Sequence, residues 1–317
     1  MDVTIGTACG KVILFGEHAV VHGVPAIGLG IDRGAQAKVR PASDGVNRLR
    51  IAQWAIDVTE TDDHSLARAF RAVLGEGEQA HAIDVEASSD LPPGAGLGCS
   101  AAMGVALVRA RHPNASLAEV VERAMAWERI FHGNPSGIDA AIAAQGGGVL
   151  FSRGAGATPI RIRGELMLCI ANSGIGSSTK SMVEAVAALH RAESSRIGPI
   201  FEEIGAIVAL GGRALEVGDS HAVGALMDRN HNLLKQLAVS IPELDAMCSI
   251  ARGRGALGAK LTGAGGGGCV VALAPNHEVA SNITEGWRAM GLDAFVTIVS
   301  AMSTSAHRAS SAVEASL

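Results

Sequence analysis

The 317-residue chain contains no tyrosine, so no phenol is available as an acid or a base. Lysine is scarce: Lys11, Lys38, Lys180, Lys235 and Lys260 are the full set. Basic residues form no block and the formal net charge is −5, which disfavours nucleic acid and anionic membrane surfaces as partners. Any phosphate binding must then be local, through backbone N–H groups and a few cations. No long apolar run is present either. The most apolar stretch, 12–31, is broken by Glu17, His18, His22 and Pro25, so no window spans a bilayer. The opening residues MDVTIGTACGK have neither a basic start nor an apolar stretch before a cleavage site, and no secretory signal is expected. The five cysteines are odd in number and lack C-x-x-C spacing, which points to reduced thiols and a cytoplasmic protein rather than to disulfides or zinc.

What is there suits a folded protein of two domains. Hydrophobic residues make up 48% of the chain and charged residues 18%, enough for substantial cores. The pattern reads as α+β. Two short apolar strands flank GEHAVVHG within the first thirty residues. An amphipathic helix follows at 65–74 with Ser65 as its cap, then a strand at 83–88 and a Pro/Gly loop leading into a helix. A helix over 116–132 opens with a capping box of Ser116 and Glu119, and another begins at Ser136. The Gly- and Arg-rich segment 153–164 marks a boundary, giving domains at 1–164 and 165–302 and a loose tail at 303–317. Helices dominate the second domain up to residue 253, before a strand, a glycine loop and a further strand.

Several segments carry residues suited to chemistry. In Pro93-Gly94-Ala95-Gly96-Leu97-Gly98-Cys99-Ser100-Ala101, alternating glycines let amides converge at a helix N-terminus, which makes an anion site. The stretch also fits a helix entered through a tight turn, and it is neither a Walker loop nor a dinucleotide fingerprint. Over 117–131, at about 100° per residue, Leu117, Val120, Val121, Ala124, Trp127 and Phe131 share one face, and Glu128 projects into it. A carboxylate there is costly unless it binds a metal, pairs with a buried arginine or reaches water at the helix end. Asp139 reads either as part of a capping box with Ser136 or as a base on a rigid helix start. Lys11, beside the strand VILF, reads as an ordinary surface lysine or as a cation for a developing alkoxide. The four consecutive glycines 265–268 suggest close approach of backbone to a ligand, or a flexible bulge. Cys9, Cys99 and Cys269 are assigned no catalytic role.

Taken together, GKVILFGEHAVVHG, PPGAGLGCSAA, ERIFHGNPSGID and KLTGAGGGGC resemble the motifs of the GHMP kinase superfamily, in their order, and those of its mevalonate kinases in particular. The resemblance implies a two-domain α+β fold with a ferredoxin-like second domain and an active site in the cleft between the two. It implies ATP as phosphoryl donor, Mg2+ as cofactor, mevalonate as the alcohol phosphorylated, and a homodimer as a possible assembly. Residue by residue, Asp139 would be the base and Lys11 its neighbour at the reacting hydroxyl. Pro93, Gly94, Ala95, Gly96, Leu97, Gly98, Cys99, Ser100 and Ala101 would wrap the ATP phosphates, with Ser100 and Glu128 on magnesium. Glu17, His18, Thr179, Gly263, Ala264 and Gly265 would lie by the substrate. Cys9 departs from the family's usual proline, and Cys99 from its usual serine. The alternatives are a relative acting on phosphomevalonate, homoserine or a sugar, and a non-catalytic sensor of the same fold.

Overall fold

The computed structural model describes residues 3–75, 81–133 and 135–300. The expected tail at 303–317 and Asn134 of the HGNPSG turn lie outside them. The first half of the chain runs β1 (Thr4–Phe15), β2 (Ala26–Pro41), β3 (Arg48–Ile51), β4 (Ile56–Thr59), α1 (Ser65–Leu74), β5 (Ile83–Ser89), α2 (Cys99–Arg111), α3 (Leu117–His132), α4 (Ile138–Gln145), β6 (Gly148–Ser152) and β7 (Gly156–Ile160). The second half runs β8 (Glu165–Asn172), α5 (Thr179–Ala192), α6 (Ser194–Val217), α7 (Ser220–Gln236), α8 (Pro242–Gly253), β9 (Gly258–Thr262), β10 (Cys269–Ala274), α9 (His277–Arg288) and β11 (Asp293–Ser300). The mixed α+β class expected from the sequence is the class observed.

Strands β1 to β7 form one sheet in the order β4-β3-β5-β2-β6-β7, with β1 on the other side of β2. Strands β8 to β11 form a second sheet, β11-β8-β10-β9, antiparallel at every pair. The opening hairpin is longer than expected. β1 and β2 have 12 and 16 residues and pair along nearly their whole length, with register shifts at Cys9/Gly10 and Ile13/Phe15. Lys11 therefore lies inside β1 rather than ahead of a strand. Helix α2 is buried on almost every side, packed against β1 and β2 on one face and α3 on the other.

Three local expectations need correction. The cap of α1 is His64, whose Nδ1 accepts from the Leu66 amide at 3.1 Å, while Ser65 is already helical. Helix α4 begins at Ile138 after Gly137 in a left-handed conformation. Among the described residues Ser136 accepts from the Ile138 amide, at 3.4 Å, and no capping box with Asp139 forms, so Asp139 is free for another partner. On α3 the capping box of Ser116 and Glu119 is present, but Leu117 and Phe131, at the two ends of the helix, are 47% and 37% exposed.

The two sheets are tied together by side chains. Thr262 Oγ1 accepts from the Ile13 amide at 2.9 Å and donates to the Ile13 carbonyl at 3.1 Å. Thr297 Oγ1 donates to Asp32 Oδ1 at 2.6 Å, and the Arg33 guanidinium lies 3.7 Å from the Phe295 ring centroid. These contacts fix where the glycine loops of the two halves face each other.

Candidate active site

The site begins on β1. Its geometry lets the Lys11 amide bond the Leu97 carbonyl at 2.9 Å, so the loop before α2 is pinned over this strand. The Lys11 side chain is buried and runs under that loop to Asp139, with Nζ 3.0 Å from Oδ1. Gly98 makes the passage possible. It has φ +76°, and a Cβ there would stand 2.8 Å from Lys11 Cγ. Asp139, in the first turn of α4, is 37% exposed and so reachable from the cleft.

Gly98 also begins α2. It offers no side-chain cap, and no acidic residue occupies the first turn, so the positive end of this helix is left uncompensated. Within 93–101, Ala95, Leu97, Cys99 and Ala101 turn their side chains into the core. They can offer a ligand only backbone, whereas Pro93 and Gly94 are exposed. Cys99 Sγ lies 3.5 Å from Ser89 Oγ, and burial raises its pKa above the usual thiol range. Burial also pushes Cys9 up to about 11 and Cys269 up to about 12, so these thiols act as small apolar side chains.

Glu128 is buried at 3% exposure, as its place on the apolar face of α3 required. It accepts from Ser100 Oγ at 2.5 Å. His132 Nε2 is 3.7 Å from its other oxygen. Burial pushes the Glu128 carboxyl up to about 7, and the Asp139 charge adds to the rise; the Ser100 hydrogen bond and Lys11 oppose it. A carboxylate so desolvated is short of positive charge. Paired with a hydroxyl oxygen beside an anion-binding helix end, it fits a small hard cation such as Mg2+, which takes one or two protein oxygens and fills its shell with phosphate and water. Among the described residues no group of three or more His, Cys, Asp or Glu side chains forms a metal centre of its own.

The second half supplies the opposite wall. Gly94, Ala95 and Gly96 face Ser177, Thr179, Thr262, Ala264 and Gly265 across a small cavity. Ser177 Oγ donates to the Gly265 carbonyl at 2.6 Å. The glycine run has a cause within the fold as well. A Cβ on Gly265 would stand 2.1 Å from the Val239 carbonyl oxygen, and one on Gly267 2.3 Å from that of Ile175. At these two positions the close approach of the chain's own backbone is by itself enough to require glycine. Gly263 lies against Gly96.

His18 and Glu17 part company. His18 has φ 62° and is buried, with Nε2 2.8 Å from the Ala264 carbonyl oxygen. Nε2 therefore carries the proton, and Nδ1 is a buried acceptor with no partner among the described residues. Burial lowers the His18 pKa and keeps the ring neutral, although the Ala264 carbonyl opposes the shift. Glu17, expected by the substrate, is buried and paired within the protein. Its carboxylate takes Lys260 Nζ and, at 3.2 Å, Asn230 Nδ2. Lys260 is fully buried and also donates to the Leu261 carbonyl at 2.7 Å. Sequence reasoning quoted Lys260 within its motif but gave it no part. The available signal was a lysine, one of five, inside an otherwise apolar strand.

The comparisons with known proteins point to one family. The model of the GHMP kinases N terminal domain matches residues 64–147, and that of the GHMP kinases C terminal matches 213–293. The mevalonate kinase of Pyrococcus abyssi is 34% identical over 315 residues, covering 89% of this chain and 92% of its own. The crystal structure of L. major mevalonate kinase in complex with R-mevalonate superposes with a TM-score of 0.82 at 31% identity, covering 96% of this chain and 97% of that one. The Methanococcus jannaschii mevalonate kinase gives a TM-score of 0.79 at 25% identity, covering 93% and 97%. With its glycine loops, its uncompensated helix end and its lysine–aspartate pair in place, the chain belongs to the GHMP kinases, in their mevalonate kinase family.

Proposed function

We propose that the chain transfers the γ-phosphate of ATP to the C5 hydroxyl of mevalonate, with Asp139 as base. The observation that carries this reading is the Lys11–Asp139 pair, 3.0 Å apart beside the open N-terminus of α2. Phosphoryl transfer needs alignment and charge stabilisation more than covalent help. The amides of 94–101 would hold the phosphates. Asp139 accepts the proton of the attacking hydroxyl as the new O–P bond forms. The bond to the bridging oxygen breaks, and its electron pair leaves with ADP. Lys11 stabilises the oxygen that is losing its proton. Ser100 and Glu128 would hold Mg2+, which when bound neutralises charge on the phosphate oxygens. The substrate would lie between Asp139, His18 and the loop at 263–265, where His18 Nδ1 can accept from a hydroxyl and Thr179 closes the far side. The five unpaired cysteines suit a reducing cytoplasm, and no described helix is long and apolar enough to cross a membrane.

The test is ADP release with Mg-ATP against mevalonate, phosphomevalonate, homoserine and galactose, with the phosphorylated carbon located by NMR. Turnover on mevalonate with phosphate on the C5 oxygen is expected. Turnover on another alcohol alone would move the substrate, and binding of ATP without turnover on any of the four would replace the enzyme with a sensor.

A further inference from the structure

The Ser100 hydroxyl is held from two sides by consecutive residues of α3. It donates to Glu128 Oε1 at 2.5 Å and accepts from Trp127 Nε1 at 3.3 Å. An indole N–H can only donate. It therefore occupies one of the two lone pairs of the hydroxyl oxygen, while the hydroxyl proton is directed at Glu128. The other lone pair is left for a ligand from the cleft.

The indole itself has nowhere else to go. Trp127 is 1% exposed, and its ring lies over Gly104, one helical turn beyond Ser100 on the same face of α2. A Cβ on residue 104 would stand 2.9 Å from both Cγ and Cδ1 of the ring. Gly104 is thus the seat of the indole, and the indole fixes the hydroxyl. Glu128 cannot do this alone. A carboxylate that turns to a cation releases the hydroxyl proton it was accepting. The Trp127 hydrogen bond does not depend on that exchange, since it uses the oxygen rather than the proton.

We propose that Trp127 is a positioning residue for the cation of the phosphoryl donor, its indole N–H holding Ser100 Oγ in the orientation that coordinates the metal. This rests on the reading of Ser100 and Glu128 as the metal's protein ligands. Trp127→Phe keeps an aromatic ring over Gly104 and removes the donor. Loss of one such hydrogen bond should weaken metal binding about five- to tenfold.

The experiment is a titration of the full chain with Mn2+ in the presence of a non-hydrolysable ATP analogue, read by electron paramagnetic resonance. It is run on the wild type, Trp127→Phe, Ser100→Ala and the double variant. The expected result is a Kd raised about five- to tenfold by Trp127→Phe in the wild-type background and changed less than about twofold in the Ser100→Ala background. Equal losses in both backgrounds would reduce Trp127 to a packing residue and overturn the inference, as would an unchanged Kd in the first. A Kd unaltered by Ser100→Ala itself would instead overturn the metal-site reading, and this inference with it. Should Trp127→Phe fail to fold, benzothienylalanine at position 127 keeps the bicyclic shape and replaces the N–H by sulfur. The same two comparisons then decide the matter.

Discussion

Lys11 reaches Asp139 from beneath the glycine loop, not across open solvent: its ammonium is 3.0 Å from the carboxylate while its side chain is 6% exposed. The two come from β1 and from the first turn of α4, elements that pack directly on each other. The pair is therefore part of the rigid framework, which suits the proposed roles of base and neighbouring cation in an in-line transfer.

Asp139→Asn keeps the shape of the side chain and removes the proton acceptor. It is expected to lower kcat by about 10²–10⁴ and leave the KM for ATP nearly unchanged, as steady-state kinetics would measure. A near-normal kcat would remove Asp139 from the base role.

Gly98→Ala places a methyl 2.8 Å from Lys11 Cγ, at a residue with φ +76°. The lysine must shift or the loop must lift. The expected outcome is a loss of about tenfold or more in kcat, because a displacement of about 1 Å near the reacting groups is costly. Gly94 has a similar φ, +72°, but nothing within 4 Å of its Cβ position. Gly94→Ala thus serves as the control and should cost less in the same assay.

Lys260→Met leaves the buried Glu17 carboxylate without its cation, and the cost should be about 3–5 kcal/mol of stability. Adding Glu17→Gln removes the orphaned charge and should restore most of that loss. Urea unfolding of the single and double variants measures both. A double variant no more stable than Lys260→Met would mean that the ion pair is not what Lys260 contributes.

His231 gives the folded state a pH dependence. Burial and the nearby Lys260 charge push its pKa down to about 4, against the pull of Asp245, whose Oδ1 is 3.1 Å from Nε2. Between that value and the unfolded pKa near 6.5, the unfolded chain binds a proton that the folded chain refuses. The contribution is fully present above pH 6.5 and is lost as pH falls toward 4, roughly 3 kcal/mol in all. His18 is also depressed by burial and adds to the same trend. Glu128, raised to about 7, acts in the opposite sense over the same range, so the readout is a difference: measured in urea from pH 4 to 7, the stability of the wild type relative to His231→Gln should grow with pH, and a constant difference would remove His231 from the pH dependence.

Much of the site was legible because its residues break local rules. Glu128 stands out as a carboxylate on an apolar helix face, and burial at 3% exposure is what that position produces. The glycine loop before α2 announces a helix entered without a cap. The contacts between distant segments were not legible. Lys260 and Glu17 are 243 positions apart, and neither has a neighbour in sequence that hints at the other. Trp127 read as core, which it is, but its hydrogen bond to Ser100 depends on how α2 and α3 cross. The glycines at 265 and 267 suggested close approach to a ligand or a bulge, and the sequence gives no sign that Val239 and Ile175 also press against them. The helix starts at His64 and Gly137 show the same limit on a smaller scale: side chains compete for a cap, and only the backbone geometry decides which one wins.

The bridges from Ile13 to Thr262 and from Asp32 to Thr297 bear on how far the chain can be divided. Both leave the opening hairpin and end on strands of the last third of the sequence. A protein cut between β7 and β8 would yield a first fragment whose central hairpin has lost its cover and a second whose hydroxyls have lost their backbone partners. Two sheets and two family regions are therefore expected to unfold as one cooperative unit. Calorimetry of the intact chain should give a single transition, and the halves should regain structure only when mixed.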